Sequence, residues 1–227
     1  MKNRIVASLC CLGVAGLVFA FGDLLIDQEN VIFKASQEPE KFAALTTSGA
    51  YYWWAGRGFL GVFLEMVGTL GLYFHLQQTK AEKWAFAGLI LTLTHQLLGM
   101  GVFAIAYFLF PAAGQLYKNG IPQAMPFVTM QGALGLFFAL SLVCTMAGLA
   151  CMAVAVQKSG KLPKFSGWLA LLGFALIPVP GVIVQFVANI TWGAAYFWMA
   201  WHICKTMAAT RLQRNEALGR LQGVLKD

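Results

Sequence analysis

Six ionisable side chains lie inside long apolar stretches of this sequence, where surface residues are not expected. They are Asp23, Arg57, Glu65, His75, His95 and His202. An ionisable group deep in hydrocarbon costs at least roughly 2.5–3.5 kcal/mol on insertion scales, so such groups usually face a cavity or a partner. These residues are therefore the first candidates for binding and for acid–base chemistry.

Glu65 and His95 are the pair with the clearest chemical use. Glu65 lies near the middle of the second apolar stretch and His95 near the middle of the third, and a short connection joins the two stretches. Stretches joined in this way are expected to be neighbours, so we predict a hydrogen bond between the two side chains. A carboxyl group and an imidazole in contact can exchange a proton. We predict Glu65 and His95 as catalytic residues if the protein is an enzyme, and as ligand-binding residues together with Gln96 otherwise.

Asp23 and Arg57 form a second candidate pair, nearer the outer ends of the first and second stretches. Because their depths are similar, we predict a buried ion pair, and we predict both residues to contact ligand. A purely structural role, in which polar contacts lock the helices together, stays open for both pairs.

The second stretch also concentrates its polar and its smallest residues on one side. With about 100° per residue, an arc of roughly 80° holds the following residues: Arg57, Gly61, Glu65, Gly68 and His75. The glycines either let a neighbouring backbone approach closely or leave room for a ligand, and the sequence leaves both uses open.

Two prolines interrupt a later apolar stretch at Ile177-Pro178-Val179-Pro180-Gly181. Each proline removes a backbone donor, so we predict a kink or an unwound segment. Broken helices often form transporter sites, although a structural kink is the alternative. We predict that Gln185, Asn189 and Trp192, which follow the break, contact ligand.

The elements that position these residues are membrane-spanning helices. Apolar residues make up 59% of the 227 residues and charged residues 11%, against about 25% charged in ordinary soluble domains. The mean hydropathy is +0.69. We therefore predict an all-α polytopic membrane protein, with a six-helix transmembrane domain at 1–209 and a basic cytoplasmic tail at 210–227.

Blocks of roughly 20 apolar residues define the predicted spans. They are 5–26, 51–76, 84–110, 126–156, 165–187 and 189–207. The last two are almost contiguous, which predicts a tight hairpin at Ala188 and Asn189. The first span also fits a signal peptide, with Val18-Phe19-Ala20 as a cleavage pattern.

Basic residues flank the spans on one predicted side of the membrane. They are Lys2, Arg4, Lys80, Lys83, Lys158, Lys161, Lys164, Lys205, Arg211, Arg214, Arg220 and Lys226. The opposite side receives the acidic segment 27–50, with Asp27 and Glu29. Because positive charge is retained in the cytoplasm, we predict an inner-membrane protein with both termini cytoplasmic. The basic residues form no face interleaved with aromatics, so the net charge of +7 does not predict nucleic-acid binding.

Two further patterns concern repeats and the tail. The segment 57–64 is similar to 131–138, so the hairpins of spans two and three and of spans four and five are candidates for a parallel repeat. Chance similarity among Gly, Leu and Phe is the alternative. In the tail, Leu218, Leu221 and Leu225 share one helical face, which suits either a membrane surface or a solvated helix.

The sequence carries no Walker A, GxSxG, HExxH or dinucleotide motif. With three histidines and no close His/Cys/Asp cluster on one span, we predict no metal site and no cofactor.

Two short segments carry a family resemblance. They are Gly58-Phe59-Leu60 followed by Glu65, and Asn189 with Trp192 in the last span. Both resemble parts of the emopamil-binding sterol isomerase family. The resemblance implies an acid–base role for Glu65 on a lipophilic substrate. That family also has a histidine one turn before its glutamate, where this chain has Gly61.

Three functions fit these features. We predict a small transporter, or a lipid- or small-molecule-binding protein, with a protonatable Glu65–His95 centre and with Arg57 holding an anionic group. The first alternative is an isomerase- or cyclase-like intramembrane enzyme, with Glu65 as general acid and with Trp192, Trp198 or Trp201 stabilising a cationic intermediate. The second is a non-catalytic membrane subunit or assembly factor. The predicted partners are the lipid bilayer, a small amphiphilic or anionic ligand, and either a second copy or a larger membrane complex.

Overall fold

The computed structural model is helical, without a strand, in the residues that it describes: 2–24, 26, 34–129, 131–179 and 181–224, with side chains to 215. Eight α-helices follow one another in this part of the chain. They are α1 (Lys2–Asp23), α2 (Pro39–Thr46), α3 (Gly49–Leu76), α4 (Glu82–Ala104), α5 (Phe110–Lys118), α6 (Gly132–Ser159), α7 (Ser166–Leu176) and α8 (Val182–Val224). A π-helical segment (Ile105–Leu109) joins α4 to α5, and a 3₁₀ helix (Pro122–Val128) precedes α6.

Five helical segments are long and apolar enough to cross a membrane, as expected for a multi-pass membrane protein. They are Lys2–Asp23, Gly49–Leu76, Glu82–Lys118, Pro122–Ser159 and Val182–Asn215. The predicted span 165–187 contains instead the 11 residues of α7, which rise about 16 Å at about 1.5 Å per residue, roughly half of a bilayer core. The membrane class is thus supported, whereas six full spans are not confirmed.

The connection between α7 and α8 differs from the predicted hairpin. Ala188 and Asn189 lie inside α8, and the chain reverses at 177–181. Pro178 lacks the backbone N–H that a continuing helix would need, and Gly181 adopts a φ of +120°, which only glycine tolerates well. The predicted break is therefore the turn itself. Pro180 lies outside the described residues, as do Asp27, Glu29, Leu225 and Lys226 and the side chains of Leu218, Arg220 and Leu221.

Close backbone contacts pack α1 between α3 and α8. A Cβ on Gly16 would lie 2.7 Å from Gly193 Cα, and one on Gly68 would lie 2.7 Å from the Ser8 carbonyl oxygen. Small residues thus permit the close approach of helix backbones that drives association in lipid. Of the two uses left open for the α3 glycines, close packing is what Gly68 shows.

The direction of α8 brings the two chain ends together. Contacts of Gly13 with Phe197 and of Gly16 with Gly193 show that α1 and α8 are antiparallel. The beginning of α1 and the segment after Met207 therefore lie at one end of the bundle, which we call the terminal end. The half-length α7 begins at the terminal end, where α6 finishes, and α8 then runs back to that end. The start of α1 and the distal part of α8 therefore lie at the same end, although only five segments have spanning length.

At the opposite end, the helical segment that begins with α4 is longer than the predicted third span. It runs through the π segment into α5 and ends at Lys118 rather than near residue 110. Pro111 explains the π segment, since it cannot donate to the preceding turn and its ring crowds the carbonyl there, which a wider turn relieves.

The short helix α2 lies against α5. The rings of Phe42 and Phe110 are 5.6 Å apart, and Lys118 Nζ donates to Thr47 Oγ1 at 2.5 Å. At the exposed start of α2, a hydrogen bond and the charge of Lys41 lower the pKa of the Glu38 carboxyl.

The structure does not confirm the internal repeat. The segment 57–64 lies within α3, whereas 131–138 covers the N-cap and first turns of α6. The two hairpins also differ in length, because α7 is much shorter than α4.

The contact between α1 and α8 predicts the effect of adding a single methyl group. Gly16→Ala places a Cβ against backbone atoms, so we expect a loss of about 1–3 kcal/mol, measured by thermal unfolding in detergent. Gly49→Ala is the control, because nothing lies within 4 Å of its Cβ position. A Gly16→Ala variant as stable as the control would contradict this packing.

Candidate functional site

The predicted ion pair between Asp23 and Arg57 is confirmed. Arg57 Nη2 lies 2.9 Å from Asp23 Oδ1, and the two side chains are only 14% and 13% exposed for Asp23 and Arg57 respectively. The pair joins the end of α1 to the first third of α3, where helix α1 reaches its last turn. Low exposure means that each charge depends on the other for solvation.

Further donors converge on the Asp23 carboxylate from two helices. Trp54 Nε1 on α3 donates to Oδ1 at 3.2 Å, and Asn189 Nδ2 on α8 donates to Oδ2 at 3.1 Å. Arg57 Nη1 also donates to the Val18 carbonyl oxygen at 2.8 Å. Three predicted ligand-binding residues, Asp23, Arg57 and Asn189, are thus brought together, and they bind one another. We call this group the ion-pair cluster.

Deeper in the bundle, two further predicted ligand-binding residues, Glu65 on α3 and Gln96 on α4, are buried. Glu65 is 5% exposed, and its carboxyl group makes no hydrogen bond or ion pair with the described residues. Gln96 Nε2 donates to Thr69 Oγ1 at 2.8 Å, whereas Gln96 Oε1 is buried without a partner. Since Thr69 follows Glu65 by one helical turn, this bond sets α4 beside the Glu65 turn of α3.

Two aromatic residues of α8 complete this region. The Tyr196 phenol lies within electrostatic range of Glu65, and its ring contacts that of Trp192 at a centroid distance of 5.6 Å. Both rings are buried. Trp192 Nε1 lies near the Tyr196 hydroxyl without reaching hydrogen-bond geometry. We call Glu65, Thr69, Gln96, Trp192 and Tyr196 the central polar group.

The predicted hydrogen bond between Glu65 and His95 is wrong. His95 Nδ1 bonds instead to Ser141 Oγ at 2.9 Å on α6, and its ring packs edge-on against Phe174 of α7 at 5.7 Å. Successive helix residues are about 100° apart. Once Gln96 faces α3, His95 must therefore face α6.

The remaining predicted residues lie apart from both groups. Gln185 is half-buried near the start of α8, and no side-chain contact joins it to Asp23 or Glu65. His75 and His202 lie within electrostatic range of each other at the terminal end. Within the described part of the chain, no group of three or more His, Cys, Asp or Glu residues is arranged to hold a metal ion.

A layer of aromatic rings separates the central polar group from the opposite end of the bundle. Phe103 is central to it, stacking on Phe19 at 6.1 Å and packing beside Trp54 at 5.9 Å and Phe59 at 6.4 Å. Gly58 makes room for Phe103, since a Cβ there would fall 2.1 Å from the ring. Phe103 and its neighbours therefore fill the bundle at this level with aromatic rings.

Beyond this layer lies an open groove of about 310 Å³. It is lined by Thr47, Tyr52, Tyr107, Phe108, Pro111, Ala112 and Gln115. Tyr107 and Phe108 belong to the π segment, a distortion often found at functional sites. Tyr107 also contacts Phe59 at 6.2 Å, so the groove adjoins the aromatic layer.

Comparison with known proteins gives no relative for this chain. No family model matches it, and neither a curated protein nor a solved structure matches at a significant level. The resemblance to sterol isomerases therefore gains no support from the comparisons, and the geometry alone guides the functional proposal.

Sequence reasoning missed four residues of the sites and their contacts: Trp54, Thr69, Ser141 and Tyr196. Thr69 carried a signal, because it lies one turn after Glu65 on the face already identified. Ser141, the partner of His95, carried none: it is a hydroxyl residue in an apolar stretch, where a bond to its own helix is the usual explanation.

The ion-pair cluster predicts a large effect of removing one charge. Arg57→Gln leaves Asp23 buried without its counter-ion, so we expect a loss of about 3 kcal/mol or more, measured by thermal unfolding in detergent. The double variant Asp23→Asn/Arg57→Gln should lose less than Arg57→Gln alone. Lys41→Gln, which breaks an exposed pair with Glu38, is the control and should leave stability unchanged. Equal losses for the single and double variants would contradict the pairing.

Proposed function

We propose that this protein binds a small amphiphilic molecule at the central polar group and carries it between the two sides of the membrane. The observation that carries the proposal is the pair of unmatched polar groups at Glu65 and Gln96. A buried polar group without a hydrogen bond costs about 1–3 kcal/mol. Gln96 Oε1 has no partner, and Glu65 is buried one helical turn before Thr69, the residue to which Gln96 donates. A ligand with a hydroxyl or amine group would supply the missing partners.

Proton exchange at Glu65 fits carriage better than static binding. Hydrocarbon tolerates a neutral carboxylic acid, and a carboxylate there requires a nearby positive charge or a polar partner. The neutral acid would also bring a donor towards Gln96 Oε1. Binding of a cationic or polar ligand and release of the Glu65 proton would then be coupled, which gives a proton-linked carrier.

The aromatic layer supports a gated route. Phe103 and Phe19 stack on each other at the level between the groove at the opposite end and Glu65, so a ligand that moved from the groove to Glu65 would have to displace them. Aromatic and apolar walls with a few converging polar groups are the usual lining of a small-molecule site. The ligand class that fits has an apolar body and one polar head.

The ion-pair cluster supports a different role for three predicted ligand residues. Arg57 and Asn189 both bind the Asp23 carboxylate, so we propose that the three residues hold α1, α3 and α8 in place, whereas the sequence alone predicted that Arg57 holds an anionic group of a ligand. This observation also favours the second candidate, a non-catalytic subunit whose polar groups only lock helices. In this proposal His95 and Gln185 are not part of the ligand site.

An enzyme remains the third candidate, with Glu65 as the acid and with Trp192 and Tyr196 beside the substrate. An enzyme would release a product that differs chemically from the molecule it binds, whereas a carrier would release the same molecule. Product analysis of the bound compound distinguishes the two.

Replacing Glu65 by glutamine tests the proposal. Glu65→Gln keeps the shape and removes the exchangeable proton, so we expect loss of the bound compound with unfolding temperature preserved. Wild type and variant are purified with native lipids, and the retained small molecules are compared by mass spectrometry. Proton uptake is then measured in proteoliposomes with an internal pH-sensitive dye while the recovered compound is added.

Thr145→Val is the matched control, because Thr145 is equally buried and its hydroxyl bonds only within α6. It should retain the compound and its proton uptake. Identical retained molecules in wild type and Glu65→Gln would reject the carrier and the enzyme, and would favour the structural subunit.

We also propose the inner membrane as location, with both termini in the cytoplasm. Support comes from the basic residues at the terminal end and from the antiparallel α1 and α8. A fluorescent protein fused after Asp227 should fluoresce, whereas a phosphatase fused there should be inactive, and a fusion to the 120 position should show the reverse. Active phosphatase after Asp227 would contradict this orientation.

A further inference from the structure

A groove of about 420 Å³ at the terminal end lies between the start of α1 and the distal part of α8. It is lined by Lys2, Asn3, Met207, Thr210, Arg211 and Arg214. None of these described lining residues is acidic. Three cationic side chains, Lys2, Arg211 and Arg214, therefore line one concavity.

The surroundings of the groove increase the positive charge. Lys2 and Lys161 both lie within electrostatic range of His75, whose Nε2 atom is buried without a partner. The positive charges at the terminal end thus come from α1, α8 and the connection before α7, and those of α1 and α8 line the groove. An anion in the groove would relieve this repulsion between like charges.

The chemistry of the lining indicates a phosphate group. Arg211 and Arg214 present planar guanidinium groups, which bind phosphate oxygens through paired N–H donors. Thr210 adds a hydroxyl group and Asn3 an amide. The first turn of α1 also contributes backbone N–H groups that have no partner within the helix.

The position of the groove selects a lipid phosphate over a free one. The groove lies where α1 and α8 leave their apolar spans, at the level expected for headgroups. Met207, on its inner side, is partly buried against the hydrophobic core, so the site has an apolar wall for the start of an acyl chain. We propose that this groove binds the phosphate of an anionic phospholipid from the leaflet at the terminal end.

The site is independent of the central polar group. It lies at the end of the bundle, more than three helical turns of α8 from Trp192 and Tyr196. A bound lipid would hold the distal part of α8 against α1 through charge, beyond the reach of the glycine contacts deeper in the membrane.

Binding of a short-chain lipid to the purified full chain tests this inference. Dihexanoyl phosphatidylglycerol is titrated against the protein in detergent and detected by native mass spectrometry, with dihexanoyl phosphatidylcholine in parallel. We expect the wild type to prefer phosphatidylglycerol by at least about tenfold, given the usual gain per basic residue at an anionic surface. The double variant Arg211→Gln/Arg214→Gln should lose this preference, and so should Lys2→Gln in part.

Lys80→Gln/Lys83→Gln is the matched control. It removes the same charge from two exposed residues, one in the connection between α3 and α4 and one in the first turn of α4, and it should keep the preference. Equal loss in both double variants would overturn the inference in favour of general surface attraction. Displacement of the lipid by millimolar inorganic phosphate would overturn it in favour of a small-ion site. If Arg211→Gln/Arg214→Gln fails to fold, Lys2→Gln decides by the same criterion.

Discussion

The arrangement of the bundle depends on one buried carboxylate. Asp23 cannot remain ionised in hydrocarbon without partners, and its partners come from α3 and α8: Arg57, Trp54 and Asn189. Satisfying this group fixes the order and the depth of three helices at once. Glycines at the crossings then allow the backbones to approach closely enough for side chains of moderate length to meet.

The same constraint explains why the chain turns where it does near α8. A hairpin at Ala188 and Asn189 would have placed Asn189 in a loop, away from Asp23. In the structure Asn189 lies two helical turns inside α8 and is directed at the carboxylate. The reversal falls on Pro178 and Gly181 instead, and α7 is shortened to half a span. Because α7 still enters from the terminal end, the shortened helix leaves the position of the chain ends unchanged.

A feature could be predicted from the sequence when few geometric quantities, such as depth or helix rotation, determine it. The Asp23–Arg57 pair needed only opposite charges at similar depth, and it is confirmed. The pairing of Glu65 with His95 also needed the rotation of α4 about its axis, and an error of one residue, about 100°, directs His95 to Ser141 and Gln96 to the α3 side. The half-length α7 could not be predicted from hydropathy, because its residues and the first turns of α8 form one continuous apolar block. The π segment before Pro111 depends on how the helix adjusts to the backbone N–H that proline lacks, and the composition of the segment does not indicate this adjustment.

The contrast between the two polar groups of the membrane interior bears on function. Near the opposite end, the chain satisfies a carboxylate with guanidinium, indole and amide donors from neighbouring helices. One layer deeper, Glu65 has no partner among the described residues and Gln96 Oε1 is unmatched, although Thr69, Tyr196 and Trp192 are close by. If the polar groups served only to lock the helices together, an apolar residue of similar shape at position 65 would be neutral or stabilising, because it would leave no buried polar group without a partner there. The unpartnered carboxyl group of Glu65 is therefore the feature on which the proposal of a ligand from outside the chain rests.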